Sequence, residues 1–293
     1  MCRGHRQGHW SYASGVSAES AVPSSVAILG GGSMGAAVLA GLQSAGVHDI
    51  RVTTRTAASA AAFSGAPGVQ ATAVEERADA NRRAVEGADL VVVAVKPFGV
   101  LDVLREVGEV LPGGAAVVSV AAGVRIAAME AALPAGTAVF RAMPNTPAAV
   151  GAGVTGVAGG AAADPVSTAA VVAAFRTVGT VLQVEEDRID ALSAVSGSGP
   201  AYVYLFLERF TDAALRLGFS AQEASTMVRQ TAAGALQLLE ATGEEPAELR
   251  RRVTSPKGTT ERAVAVFEER DLGGIFDAAL AAAIARAAEI ANG

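Results

Sequence analysis

The sequence predicts an α/β chain in two parts, an N-terminal Rossmann-like dinucleotide-binding domain followed by an all-helical domain. Three observations predict it. From Ser25 onward, short apolar β-branched runs alternate with Ala-rich helical runs. A glycine-rich hexapeptide, GGGSMG at 30–35, joins the first such run to the first helix. Strand signals then cease after about Glu186, and only helical patterns continue. The expected bounds are a disordered leader at 1–21, a Rossmann domain at 22–186 and a helical domain at 187–293.

In chain order, the polar leader has no apolar core and does not read as a secretory signal. SSVAIL is the first strand, and MGAAVLAGLQSAG the first helix. IRVTT follows as a strand, then more helical sequence, then the strand DLVVVAV. AAVVSVAAG, TAVFRAM, GVTGVAG and TVLQVEE complete the strand signals. The early strands are almost wholly apolar, as strands covered by helices on both faces should be. AYVYLFLERFTDAALRLG, SAQEASTMVRQTAAGALQLLEATG and the run from Leu272 to Ala291 then read as helices, with Gly218 and Gly243 at helix ends. Several of these helices are apolar beyond a single stripe, Tyr202 to Leu207 for example, and packing between subunits accounts for that surface most simply.

Composition narrows the function. A net charge of −6 without a basic run argues against nucleic acid as a partner. The one cysteine, Cys2, excludes an internal disulfide framework and suits the cytoplasm. The three histidines, His5, His9 and His48, do not assemble a metal site or a histidine base, so no metal is expected. The charge-free stretch Ala142 to Ala163 has the length of a membrane span, but its prolines and glycines make it strand and turn.

The glycine hexapeptide places Gly30, Gly32 and Gly35 in G-x-G-x-x-G spacing between a strand and a helix. There the first makes the turn, the second admits a pyrophosphate and the third lets helix and strand pack closely. An NAD enzyme usually carries an acid at the end of the second strand. This chain has Thr53, Thr54, Arg55 and Thr56, which suit a 2′-phosphate and favour NADPH. Arg55 is otherwise a solvated turn residue. Ala94, Val95, Lys96 and Pro97 (AVKP) close one strand and SVAAGV closes the next, where ligands of open α/β sheets bind. Lys96 is equally a strand-end charge reaching water. Near the C-terminus, SPKGTT (Ser255 to Thr260) reads as a second anion-holding turn at a helix start, or simply as a helix cap.

Taken together, GGGSMG, AVKP, SVAAGV, RAMPNTP (141–147), SGSGPAY (196–202) and SPKGTT give a chain that resembles pyrroline-5-carboxylate reductase from about Val26 to its end. The resemblance implies that the helical part is a dimerisation domain, that the active site is shared across the dimer, and that five dimers often form a ring. It implies NADPH as cofactor, NADH being an alternative, and 1-pyrroline-5-carboxylate as substrate. By matching position, Ser33 and Met34 join the glycines at the pyrophosphate, Thr54 meets the 2′-phosphate, and Asn81 lies near the adenosine half. Val95, Lys96 and Ala122 line the nicotinamide side. Glu186, Thr259 and Thr260 face the substrate, whose carboxylate is expected at the backbone N–H groups of Lys257, Gly258, Thr259 and Thr260, with Ser255 in the same substrate-binding turn. Thr260 is the catalytic candidate, by hydrogen bonding to the ring nitrogen. Glu186 either balances an iminium charge or caps the first C-terminal helix.

Two departures stand out: Lys257 replaces a family glycine, and Arg252 stands where a relative has asparagine. Two other readings compete. A β-hydroxyacid dehydrogenase or related imine reductase would want a helical lysine as acid, yet Lys257, the only lysine after the Rossmann half, lies in a turn. A non-catalytic NADP-binding sensor would have no use for the second turn.

Overall fold

A computed structural model of the chain describes Val22–Asn292, with side chains to Glu289; the expected leader at 1–21 lies outside the described residues. The strands are β1 (Ser25–Leu29), β2 (Asp49–Thr54), β3 (Val69–Ala73), β4 (Leu90–Val93), β5 (Ala116–Ser119), β6 (Ala138–Met143), β7 (Gly153–Gly159) and β8 (Gly179–Gln183), all but β3 formed by the expected runs. They form one sheet in the order β3-β2-β1-β4-β5-β6-β7-β8.

Successive residues of one strand face opposite cores. Val26 and Ile28 of β1 join a cluster with Val38, Leu42 and Phe175, from α1 (Ser33–Ser44) and α6 (Pro165–Arg176). Ala27 and Leu29 join the opposite cluster with Val85, Leu104 and Met129. Those come from α3 (Ala80–Val85), α4 (Val100–Gly108) and α5 (Ile126–Glu130). Helices on both faces explain why the strands read as continuous apolar runs. The strand order reverses between β1 and β4, whose parallel register pairs Leu29 with Val93, so their carboxyl ends open side by side. Ligands of such sheets bind at this crevice.

Two features differ from the expected rhythm. The sequence between Thr54 and Asp89, read as helical, contains α2 (Ala57–Ala61) and then β3. β3 is an edge strand of sequence VQATA with a single fully buried residue, so it lacks the apolar run that marks a central strand. β7 pairs with β6 antiparallel, against the parallel pairing elsewhere. Only the 3₁₀ turn Thr146–Val150 separates them, too short for the crossover that a parallel return needs. That same turn divides the charge-free stretch 142–163, and no described helix is long and apolar enough to cross a membrane.

Contacts divide the chain into a larger unit running to Pro200 and resuming at Ala282, and a smaller one, Ala201–Ala281. After α7 (Ile189–Leu192) and a π turn at Ser193–Gly197 come α8 (Gly199–Arg216), α9 (Ala221–Thr242), α10 (Pro246–Arg252), α11 (Thr259–Glu269) and α12 (Leu272–Asn292). Pro200 lies in the first turn of α8. Ser220 and Glu223 form a reciprocal capping box at the start of α9, and Gly243 ends it at φ 63°. The single-chain burial of this unit is slight. Val203, Tyr204, Leu205, Phe206 and Phe210 of α8 are all exposed, as are Leu236 and Leu238 of α9 and Ile275 and Phe276 of α12. Apolar faces of this extent mark an interaction surface.

Candidate active site

At the crevice beside β1, the three fingerprint glycines meet three different surroundings. Gly30 has φ 112°, and a Cβ there would lie 2.7 Å from the Ala94 carbonyl. The Gly30 and Gly31 N–H groups donate to Thr53 O at 3.1 and 2.8 Å, which fastens the turn to the end of β2. A Cβ on Gly35 would lie 2.1 Å from Gly30 O, so the turn and α1 touch there with nothing between them. At Gly32 the same construction meets nothing within 4 Å. Gly32 caps α1 without a side-chain hydrogen bond, and no acidic residue sits in the first turn. The helix start is open, bare of negative charge and flanked by Ser33 and Met34, which fits a pyrophosphate.

The other expected cofactor residues gather around the same strand ends. Ala94 N–H donates to Leu29 O at 2.8 Å and Val120 N–H to Val93 O at 3.0 Å, so AVKP and SVAAGV continue the strands that flank the turn. Lys96 is exposed ahead of the short 3₁₀ turn at 97–99, and Ala122 is exposed beside Gly123, which has φ 79°. At the end of β2, Thr54 is buried, and its hydroxyl donates to Thr56 O at 2.9 Å. Arg55 is exposed and has no side-chain partner among the described residues. Asn81 is buried and donates to Glu106 Oε2 at 2.9 Å.

Glu186 is held inside the larger unit. Its Oε1 accepts the Ile126 N–H at 2.8 Å, so the helix it caps is α5, just after the SVAAGV segment, and not the first C-terminal helix; the same oxygen lies 3.8 Å from Arg141 Nη1. Arg141, on β6, is fully buried and donates from Nη2 to Asp190 Oδ1 at 2.6 Å. Its Nε and Nη1 have no hydrogen-bond partner. Two carboxylates thus offset one buried guanidinium, an arrangement that is costly to break from one side. Sequence reading placed Arg141 within a motif but not this clasp, and it gave Asp190 no role. Asn145 and Ser196 also act inside the fold: Asn145 Nδ2 donates to Ser196 O at 2.9 Å, and Ser196 Oγ donates to Leu192 O at 3.0 Å.

The SPKGTT turn connects α10 to α11, and Arg250 of α10 pairs with Glu268 of α11 at 2.8 Å. Lys257 has φ 62°, in the left-handed region that favours glycine. Its N–H donates to Glu261 Oε2 at 2.8 Å, and the Gly258 N–H donates to Ser255 O at 2.9 Å. Two of the four expected anion donors are therefore engaged within the chain. Thr259 and Thr260 open the first turn of α11, where helical N–H groups have no intrahelical acceptor. Gly258 caps that helix without a side-chain bond, and a Cβ there would lie 2.5 Å from Ser255 Oγ. Arg252 is tied to Glu244 at 2.7 Å and Glu248 at 3.3 Å. Glu248 is held below the usual carboxylate range, chiefly by its hydrogen bond from Arg251.

Comparison with known proteins points to one family. Residues 186–290 match the family model described as pyrroline-5-carboxylate reductase dimerisation, and residues 25–123 match one described as NADP oxidoreductase coenzyme F420-dependent. The pyrroline-5-carboxylate reductase of Pseudomonas aeruginosa is 38% identical over 270 residues, covering 91% of this chain and 97% of the relative. That of Mycobacterium tuberculosis is 40% identical over 290 residues, covering 90% and 96%. A solved pyrroline-5-carboxylate reductase from Coxiella burnetii superposes with a TM-score of 0.84 at 36% identity, over 91% of this chain and 98% of that one.

Proposed function

The chain belongs to the pyrroline-5-carboxylate reductase family, and on that premise we propose its reaction and the residues that carry it. It is an NADP-dependent oxidoreductase acting on a CH–NH bond. It reduces the C=N bond of 1-pyrroline-5-carboxylate to give L-proline, the last step of proline biosynthesis. The observation that carries the reading is the open cradle at Gly32, within a chain that matches reductases over 91% of its length.

Gly32, Ser33, Met34 and Gly35 hold the pyrophosphate through backbone N–H groups and the α1 dipole, and Gly30 makes the turn that brings the backbone to it. Thr54 and Arg55 take the 2′-phosphate, and Asn81 lies toward the adenosine half. Ala94, Val95, Lys96, Pro97 and Ala122 line the nicotinamide. NADPH, when bound, supplies a hydride from its nicotinamide ring, and NADH is an alternative. At the start of α11 the N–H groups of Thr259 and Thr260 hold the substrate carboxylate, in the turn that Ser255, Lys257 and Gly258 shape. Thr260 orients the ring nitrogen by a hydrogen bond, while the imine takes its proton from solvent, since a threonine hydroxyl is a poor acid. Glu186, fixed by the Ile126 N–H and Arg141, sets the SVAAGV turn and contributes negative charge toward the iminium. The chemistry asks the chain mainly to align donor and acceptor and to exclude water.

The division of labour falls at Glu186, with 22–186 for the dinucleotide and 187–293 for substrate and assembly. The exposed apolar faces of α8, α9 and α12 pair two copies into a homodimer, and five dimers form the larger ring, in the cytoplasm.

Purified protein mixed with NADPH and 1-pyrroline-5-carboxylate should lose absorbance at the nicotinamide band. No oxidation, with turnover of a hydroxyacid, would instead identify a β-hydroxyacid dehydrogenase. Nucleotide binding without any turnover would identify a sensor.

A further inference from the structure

The turn after β2 holds a carboxylate that arrives from another strand. Val74 N–H donates to Thr54 O at 2.8 Å and Glu75 N–H to Arg55 O at 3.2 Å, so the segment leaving β3 runs against the turn leaving β2. The Glu75 side chain then crosses that turn, and its Oε1 accepts the Ala57 N–H at 2.7 Å. Glu75 and Arg55 are both exposed, yet the Arg55 guanidinium forms no ion pair among the described residues, with Glu75 or with any other carboxylate. The turn therefore presents an unengaged cation and, within two residues of it, a carboxylate bound to backbone.

We infer that Glu75 sets the preference between the two nicotinamide dinucleotides. This rests on the dinucleotide reading above. A ribose 2′-hydroxyl is a donor, and a carboxylate at this turn accepts its hydrogen bond. A 2′-phosphate is an anion, which the same carboxylate repels while Arg55 attracts it. In many dinucleotide folds the acid that reads the ribose hydroxyl sits at the end of the second strand. Here Thr54 ends β2, and an acid reaches the same turn from the end of β3. Glu75 works against Arg55, lowering the advantage of NADPH over NADH below what the cation alone would give.

A purely structural part for Glu75, as the acceptor that steadies Ala57 at the start of α2, predicts something different. Glutamine can accept the Ala57 N–H through its amide oxygen and carries no charge. Glu75→Gln therefore separates charge from capping, and Glu75→Ala removes both.

The test is calorimetric titration of the full chain with NADP⁺ and with NAD⁺, without substrate, for the wild type and both variants. Glu75→Gln should raise the ratio of NADP⁺ to NAD⁺ association constants about tenfold, and Glu75→Ala should move it in the same direction. The gap between wild type and Glu75→Gln should narrow as salt is raised. An unchanged ratio, or an equal fall in both affinities, would overturn the inference and leave Glu75 as a cap only, with the dinucleotide site intact. If neither dinucleotide binds the wild type, the dinucleotide reading fails and this inference fails with it.

Discussion

The chain has two glycine-containing turns that start helices, and they are built on opposite plans. At GGGSMG the glycines with special surroundings are glycines by necessity: Gly30 has φ 112°, and Gly35 touches the Gly30 carbonyl. The remaining fingerprint glycine, Gly32, faces open space, and no side chain caps the helix. At SPKGTT the left-handed position is filled by Lys257, and the turn's own acid, Glu261, takes one of its N–H groups. The first turn is emptied for a large anion. The second satisfies part of its own hydrogen bonding, through Glu261 and the Ser255 carbonyl. The comparison separates backbone shape from free donors as sources of anion affinity.

The sharpest way to break that comparison lies within the first turn. Gly35→Ala drives a Cβ into the Gly30 carbonyl and should lower stability by on the order of 3 kcal/mol while abolishing NADP⁺ binding. Gly32→Ala meets no protein atom, so its melting temperature without nucleotide should stay within about a degree of wild type. Its NADP⁺ affinity should nevertheless fall by roughly tenfold or more. Equal losses of stability in the two variants would show that the space at Gly32 serves folding rather than binding.

For the second turn, Thr260→Ala should lower kcat by about 10-fold to 100-fold, with NADP⁺ affinity changed less than about twofold. An unchanged rate removes Thr260 from the chemistry. A smaller effect is expected at Glu261. Glu261→Gln removes the negative charge from the helix start and should lower KM for the anionic substrate about threefold, read from initial rates. A raised KM would mean that Glu261 shapes the turn for its ligand. Smallest of all, Lys257→Gly should stabilise the chain by about 0.5 kcal/mol in urea unfolding. Relief of the left-handed strain is largely offset by the wider freedom of glycine in the unfolded chain.

Much of the fold was legible because the central strands are buried on both faces, and burial on both faces writes itself as apolar runs such as LVVV of β4. β3 was not legible, since an edge strand of small and polar residues carries no such mark. Nor was the reversal at β7, which depends on the length of a link rather than on composition. In the site, GGGSMG, AVKP and SPKGTT announced themselves by local spacing. Glu75 and Asp190 did not, because each acts on a partner far along the chain: Ala57 across 18 residues, Arg141 across 49. A lone acidic letter in a loop says nothing about which turn it will reach. Lys257 was visible as a departure, but only its φ of 62° explains why glycine is the natural tenant of that position.

The guanidinium sealed beneath β6 has an evolutionary consequence. A lineage that loses Asp190 alone leaves the buried cation with only Glu186, at 3.8 Å, and one that loses Arg141 alone leaves both carboxylates without the cation they share. Descent alters such a group most readily when its members change together. Two codons with no kinship in the linear text are thus bound to a common fate by the protein they encode.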